Sequence, residues 1–159
     1  MTYERLEQAP AWQRAVELAA LVYNLTDTAK EVFTTKTTLK NQIEHAALSI
    51  VNEIAKGYGR SSNDLFHSLQ KSYCSINELR SMVGLMERID ALAPFKTQLL
   101  SIRESCDSCS REVMDWARNL NHVPANGHSS IDPALEEERR RQAREKRAVF
   151  EGLRQLNGM

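Results

Sequence analysis

Apolar residues recur along this chain at steps of three and four. One stretch carries Leu39, Ile43, Ala46, Ile50 and Ile54. The next carries Leu65, Leu69, Ile76, Leu79, Val83 and Met86, with Ser72 out of type. A third runs through Leu92, Phe95, Leu99, Ile102, Cys106, Cys109, Val113, Trp116 and Leu120. Such steps keep side chains on one face of a helix. Several helices of this kind must bury their stripes against one another. The pattern therefore predicts an all-α fold, an up-down antiparallel four-helix bundle, and argues against β and α/β folds. Bundles serve as scaffolds, cofactor pockets and enzymes alike, so the pattern leaves function open.

Local signals set the expected boundaries. The first helix runs from about Pro10 to Asp27 and continues towards Phe33, with Trp12, Ala15, Ala19 and Val22 as its stripe. Proline suits the first helical position, where a missing N–H costs nothing. The β-branched, polar run Thr34-Thr35-Lys36-Thr37-Thr38 reads as a connection. The second helix spans about Thr38 to Tyr58, and Ala47, Val51 and Ala55 give it a second apolar stripe. A face that wide serves an internal core and a neighbouring subunit together. Gly57 and Gly59 suit the left-handed conformation that ends a helix. Ser61 and Asp64 have capping-box spacing at the start of a third helix, which extends to about Ile89. Pro94 starts the fourth, which reaches about Asn121.

Residues 1–122 thus form the expected bundle. Residues 123–132 contain Pro, Gly, Asn and Ser and read as a linker. Asp132 and Pro133 open a charged C-terminal helix over 133–159, where Glu136, Glu137 and Glu138 precede Arg139, Arg140 and Arg141 at a favourable helical spacing.

Composition narrows the function classes. Hydrophobic residues make up 42% of the 159, enough for a real core. Lys and Arg balance Asp and Glu at 21 each, so the net charge is zero and binding to nucleic acid through bulk charge is disfavoured. No run of about 18 apolar residues predicts a membrane span. The N-terminal MTYERLEQAP lacks a basic region followed by an apolar core, so no signal peptide is expected. Three cysteines, an odd number, do not make a disulfide framework. The expected compartment is the cytoplasm.

The segment from Gln42 to Arg60, QIEHAALSIVNEIAKGYGR, resembles a pattern close to Q-I-R-R-A-A-x-S-I-x-x-N-I-A-E-G-Y-G-R. That pattern belongs to a bacterial four-helix-bundle family named after proteins encoded in intervening sequences of large-subunit ribosomal RNA genes. Trp12-Gln13-Arg14-Ala15 adds support, as do Ser61, Asp64 and Leu65, and Ser75-Ile76-Asn77-Glu78-Leu79 with Cys74 at the family's glycine. The resemblance covers about residues 10 to 90 by motif. It implies an up-down bundle that assembles into a homopentamer. The family is also similar to the accessory protein of diversity-generating retroelements, which partners a reverse transcriptase and its RNA. Departures bear on this. The family's paired arginines are Glu44 and His45 here, and its N-I-A-E-G becomes Glu53-Ile54-Ala55-Lys56-Gly57. Both changes weaken any shared basic surface.

Candidate chemistry is sparse. Cys106 and Cys109 form a C-x-x-C, but both fall on the helical seam, where small apolar residues belong. A thioredoxin-like site needs a βαβ context, and a zinc site needs about four ligands. His45, His67, His122 and His128 lack the paired E-x-x-H of di-metal bundles, and Asp64 before His67 reads as a cap. Gly57-Tyr58-Gly59 lacks the third glycine and the strand of a dinucleotide fingerprint. Ser49 has no evident base beside it. It is expected to bond a carbonyl one turn back or to let helices approach. Glu78 is either a buried partner for Arg60 or an exposed charge. No catalytic residue, metal ligand or cofactor is assigned.

The reading is a non-enzymatic, oligomeric scaffold or adaptor that pairs with itself or with a protein partner. The alternative is a nucleic-acid-binding accessory that partners a reverse transcriptase or structured RNA. Weak RNA or DNA contacts would come from Lys40, Lys56, Arg60 and Lys71, and from Arg139, Arg140, Arg141 and Arg144 in the tail. No membrane partner is expected.

Overall fold

Pro10 occupies the first turn of the first long helix, α1 (Pro10–Thr28), as its missing N–H favours. The computed structural model describes residues 3–121, and every residue from 122 onward, including the expected linker and charged helix, lies outside the described residues. The backbone leaves helical geometry at Ala29, with φ −95° and ψ 26°. The expected continuation to Phe33 is therefore broken. A separate turn, α2 (Lys30–Thr34), packs on α3 (Thr37–Gly57) and buries Phe33 in the core.

Ser61 caps α4 (Ser62–Met86). Its hydroxyl accepts the Asp64 N–H at 3.2 Å and donates to the Asp64 carboxylate at 2.7 Å. This satisfies one orphan donor and adds a negative charge to the first turn. The helix ends at Met86 rather than Ile89, because Arg88 and Ile89 bond three residues back and Ile89 is extended. Pro94 does not start the last helix. It sits inside a 3-10 turn over Asp90–Phe95 that buries Leu92, and α5 (Lys96–Asn121) follows.

The four long helices form a square. α1 packs against α3 and α5, and α4 packs against the same two. All neighbours run antiparallel. Thr26 near the end of α1 bonds Glu44 near the start of α3 at 2.7 Å. Ser72 of α4 donates to the Ile50 carbonyl of α3 at 3.2 Å. Arg103 near the start of α5 bonds Glu87 just past the end of α4 at 3.0 Å. Tyr3 packs edge-on to Trp116 near the end of α5, with ring centres 5.2 Å apart, and Tyr58 donates to the Tyr3 carbonyl at 2.8 Å. The N-terminal segment thus straps one end of the bundle.

The predicted stripes of α3, α4 and α5 supply most of the core, whereas α1 buries Ala11, Leu18 and Leu25 beside the expected Ala15, Ala19 and Val22 and leaves Trp12 half-buried. Leu18, Leu25, Ile43, Ile50, Ile54, Leu69, Ile76, Leu79 and Leu99 are fully buried. Ser72, the one residue out of type, is buried too and keeps its hydroxyl paired, which avoids the roughly 1–3 kcal/mol cost of an orphaned polar group. Among the described residues no helix is long and apolar enough to cross a membrane.

The two glycines of the α3–α4 turn do different work. Only Gly59 is left-handed, at φ +75°. Gly57 is needed for close approach, because an added Cβ would lie 2.6 Å from the Ser68 Cβ and 3.1 Å from the Leu65 Cα. Gly57→Ala should destabilise the fold by roughly 1–3 kcal/mol through overpacking. Gly59→Ala should cost about 1–2 kcal/mol through backbone strain alone. Urea melts of the two variants check this, and a neutral Gly57→Ala would show that α3 and α4 separate at no cost.

Candidate interaction surfaces

A square of helices has four outward seams, and contacts between helices mark each one. The Thr26–Glu44 hydrogen bond marks the α1–α3 seam. Tyr23, Ala19, Val16 and Trp12 precede Thr26 by three, seven, ten and fourteen residues and share its side of α1. Leu48, Val51 and Ala55 follow Glu44 by four, seven and eleven and share its side of α3. This seam is apolar and only partly covered: Val16 is 38% and Leu48 44% exposed. Trp12, Tyr23 and Val51 are half-buried and Ala55 is exposed. The second stripe read from the sequence therefore faces outward beyond Ala47, which is buried.

Ion pairs of Arg80 with Asp107 and of Glu87 with Arg103 mark the α4–α5 seam. One and two heptads before Arg80 stand Tyr73 and Phe66, and one heptad after Asp107 stands Met114. Here the seam opens into an apolar groove of about 390 Å³. Phe66, Leu69, Tyr73, Met114 and Ala117 form its walls. Gln70, Cys74 and Arg118 form its rim. Leu85 and Leu100 are also exposed, at 54% and 51%, and Leu100 stands one heptad before Asp107 on the same side of α5. The groove was legible only as residues flanking the core stripe. Its signal is the heptad Phe66, Tyr73, Arg80, Glu87, which turns from aromatic to charged along one line.

The other two seams carry polar contacts beside half-buried apolar residues, Met82 on α4 and Leu21 on α1. Ser75 donates to Ser49 at 3.2 Å across the α3–α4 seam, so Ser49 bonds a neighbouring helix rather than a carbonyl of its own. On α1, at the side of the α1–α5 seam, Arg14 is paired to Glu17 at 2.8 Å.

The expected nucleic-acid contacts are distributed over these seams. Lys56 lies seven residues after Ser49 and Lys71 four before Ser75, so both belong to the α3–α4 seam. Lys56 is paired to Glu53 at 2.8 Å, whereas Lys71 is exposed and has no ion pair among the described residues. Lys40 is on the α1–α3 seam, sixteen residues or about 24 Å along α3 from Lys56, and lies 3.6 Å from Glu44. Arg60 is exposed in the turn before α4. Four cations do not converge on one patch. Arg139, Arg140, Arg141 and Arg144 lie outside the described residues. Glu78 is exposed, and among the described residues it makes no ion pair with Arg60.

Glu44 explains part of this dispersal. Where the family pattern has arginine, this carboxylate points inward, 18% exposed, and accepts from the buried Thr26 hydroxyl while neutralising Lys40. An arginine has no acceptor to offer Thr26.

The two C-x-x-C thiols are fully buried on α5. Burial pushes the Cys106 thiol up to about 11, against a smaller opposing pull from Arg80 and Arg103. Burial, reinforced by Cys106 and Glu112, pushes Cys109 up to about 12. High pKa values hold both thiols neutral and unreactive at neutral pH. His67 lies 3.3 Å from Gln70. Among the described residues no three His, Cys, Asp or Glu side chains converge as a metal site would require.

A family model described as 23S rRNA-intervening sequence protein matches residues 7–115. No curated protein and no solved structure matches the chain.

The thiols make a direct check on this geometry. Cys74, exposed at the groove, should react with a thiol reagent at pH 8 at once, and Cys106 and Cys109 only as fast as the chain unfolds. Because the folded pKa values are raised, the stabilisation from the buried thiols is complete below about pH 9. It is lost as pH rises towards 11–12, where the unfolded chain ionises first. Three thiols reacting at one rapid rate in the native protein would contradict the buried placement.

Proposed function

The chain belongs to the 23S rRNA-intervening sequence protein family, and from that premise we propose that it works as a non-enzymatic, self-assembling helical-bundle scaffold in the cytoplasm. The observation that carries this reading is the apolar groove between α4 and α5, walled by aromatic and aliphatic side chains and open to solvent. Apolar surface of this kind marks association sites on soluble proteins. The half-covered α1–α3 seam supports the same reading. Three free thiols, two of them in the core, suit a reducing compartment. The number of subunits, five, comes from the family resemblance alone.

A second reading, an RNA-binding accessory, draws on the family's description and on Lys56 and Lys71 sharing the α3–α4 seam. Among the described residues Lys40 and Lys56 are ion-paired, while Arg60 and Lys71 are exposed and make no ion pair. An assembly that repeats the seam would recover affinity through multivalency.

Light scattering of the full chain at micromolar concentration should report a homo-oligomer. A monomer would remove the scaffold reading. Anisotropy titration with structured RNA should show weak binding that falls steeply between two salt concentrations, as counterion release requires. Tight, salt-insensitive, sequence-selective binding would place the RNA reading first.

A further inference from the structure

The groove between α4 and α5 is a short cup. Phe66 and Cys74, at its wall and rim, are eight residues apart, about 12 Å along α4. Arg80 and Asp107 pair across the same seam, one heptad after Tyr73 and one before Met114, and close the cup in that direction. A helix of average length, about 15–21 Å, outruns such a cup. Its volume of about 390 Å³ falls among the pockets of about 300–1,000 Å³ that hold small molecules, which bundles build between their helices. The walls suit an apolar body. Phe66 and Tyr73 supply large apolar surface, and the flexible Met114 adapts to the shape of what it meets.

Charge at the mouth selects the other end of the ligand. Arg118 is on the rim. It pairs with Asp115 at 3.0 Å, but the two side chains are 67% and 61% exposed. An ion pair so wet contributes little, so it offers a carboxylate ligand little competition. Arg111 stands one heptad before Arg118 on the same side of α5, is exposed, and makes no ion pair among the described residues. The facing bank of α4 carries no carboxylate. Its rim is Gln70 and Cys74. The two acids of α4, Asp64 and Glu78, stand eleven before and three after Ser75, on the side of the α3–α4 seam. Two guanidiniums thus meet one carboxylate at the mouth, while Asp107 is held by Arg80. A guanidinium's planar fork matches a carboxylate through two parallel hydrogen bonds.

We propose that the α4–α5 groove binds an amphiphilic anion, a single apolar chain or ring that lies against Phe66, Tyr73 and Met114 and turns a carboxylate to Arg118. This goes beyond the scaffold reading and fails or stands apart from it, since association is read from mass and ligand binding from the groove.

The probe is octanoate, titrated into the full chain, with octanol as the uncharged control and octylamine as the control of opposite charge. Calorimetry should show one octanoate per chain, bound about fivefold or more tighter than either control. Cys74 on the rim reports the place, so saturating octanoate should slow its reaction with a thiol reagent. Two exposed positions test the charge. Arg118→Gln removes the carboxylate's partner, and Gln70→Glu sets a carboxylate on the facing rim. Each should lower octanoate to the affinity of octanol while circular dichroism and thermal melting stay those of the wild type. Four results would overturn the proposal. They are no octanoate binding, octylamine bound as tightly as octanoate, an Arg118→Gln variant of unchanged affinity, and octanoate that leaves the Cys74 rate unchanged. A Cys74 that is unreactive in the ligand-free chain would also overturn it, because protein then already fills the groove. Light scattering of the same samples separates the two readings. A monomer that binds octanoate removes only the scaffold, and an oligomer that does not removes only this site.

Discussion

Four apolar stripes that have no other surface to cover them set the architecture of this protein. Each long helix is too polar on its outer face to sit inside a core and too apolar on its inner face to stand in water. Burying a Leu or Ile side chain contributes about 1.5–3 kcal/mol, and the fully buried set spans all four helices. Antiparallel packing in a square satisfies every stripe with short connections. The strap of Tyr3 across Trp116 and Tyr58, and the turn that seats Phe33, then close the regions the long helices leave open.

The two buried hydroxyls of this core are answered by a neighbouring helix, while the buried Trp116 Nε1 and Arg80 Nε have no hydrogen-bond partner among the described residues. Ser72 reaches the Ile50 carbonyl, and Thr26 reaches Glu44. The Ser72 bond favours one register of α3 against α4, since a shift would orphan its buried hydroxyl, whereas Thr26 also has the Tyr23 carbonyl of its own helix at 3.0 Å. The Thr26–Glu44 bond also has an electrostatic consequence. Holding Glu44 against α1 places a carboxylate beside Lys40, and Glu53 does the same for Lys56. Much of the basic surface that family resemblance suggests is thereby neutralised within this chain. Outward the bundle also offers apolar surface, at the α4–α5 groove, along the α1–α3 seam and at Leu85 and Leu100.

That arrangement makes the outer seams more informative than the core. A four-helix core is compatible with many roles. An open apolar groove between α4 and α5 and a half-covered α1–α3 seam are a narrower statement about association. The buried thiols of α5 point the same way. Their raised pKa values suit packing and remove them from redox chemistry at neutral pH.

Periodicity alone determined the fold class, the four long helices, the core stripes, the burial of Cys106 and Cys109 and the cap at Ser61, because each depends on spacing within one helix or one turn. The motif from Gln42 to Arg60 pointed to the family that the match over 7–115 establishes. Tertiary structure decided what spacing cannot encode. It broke the first helix at Ala29, placed Pro94 inside a 3-10 turn, and required glycine at position 57 for contact with Ser68 rather than for a left-handed turn. It paired Ser49 with Ser75, left Glu78 in solvent, and put Lys40 on the α1–α3 seam, apart from Lys56 and Lys71 on the α3–α4 seam and Arg60 in the turn before α4. It also joined Phe66 and Tyr73 to Met114 in one groove, residues more than forty positions apart in the chain. The physical reason is common to all of these: a helix's own period says which residues share a face, but only the packed neighbour decides what that face meets.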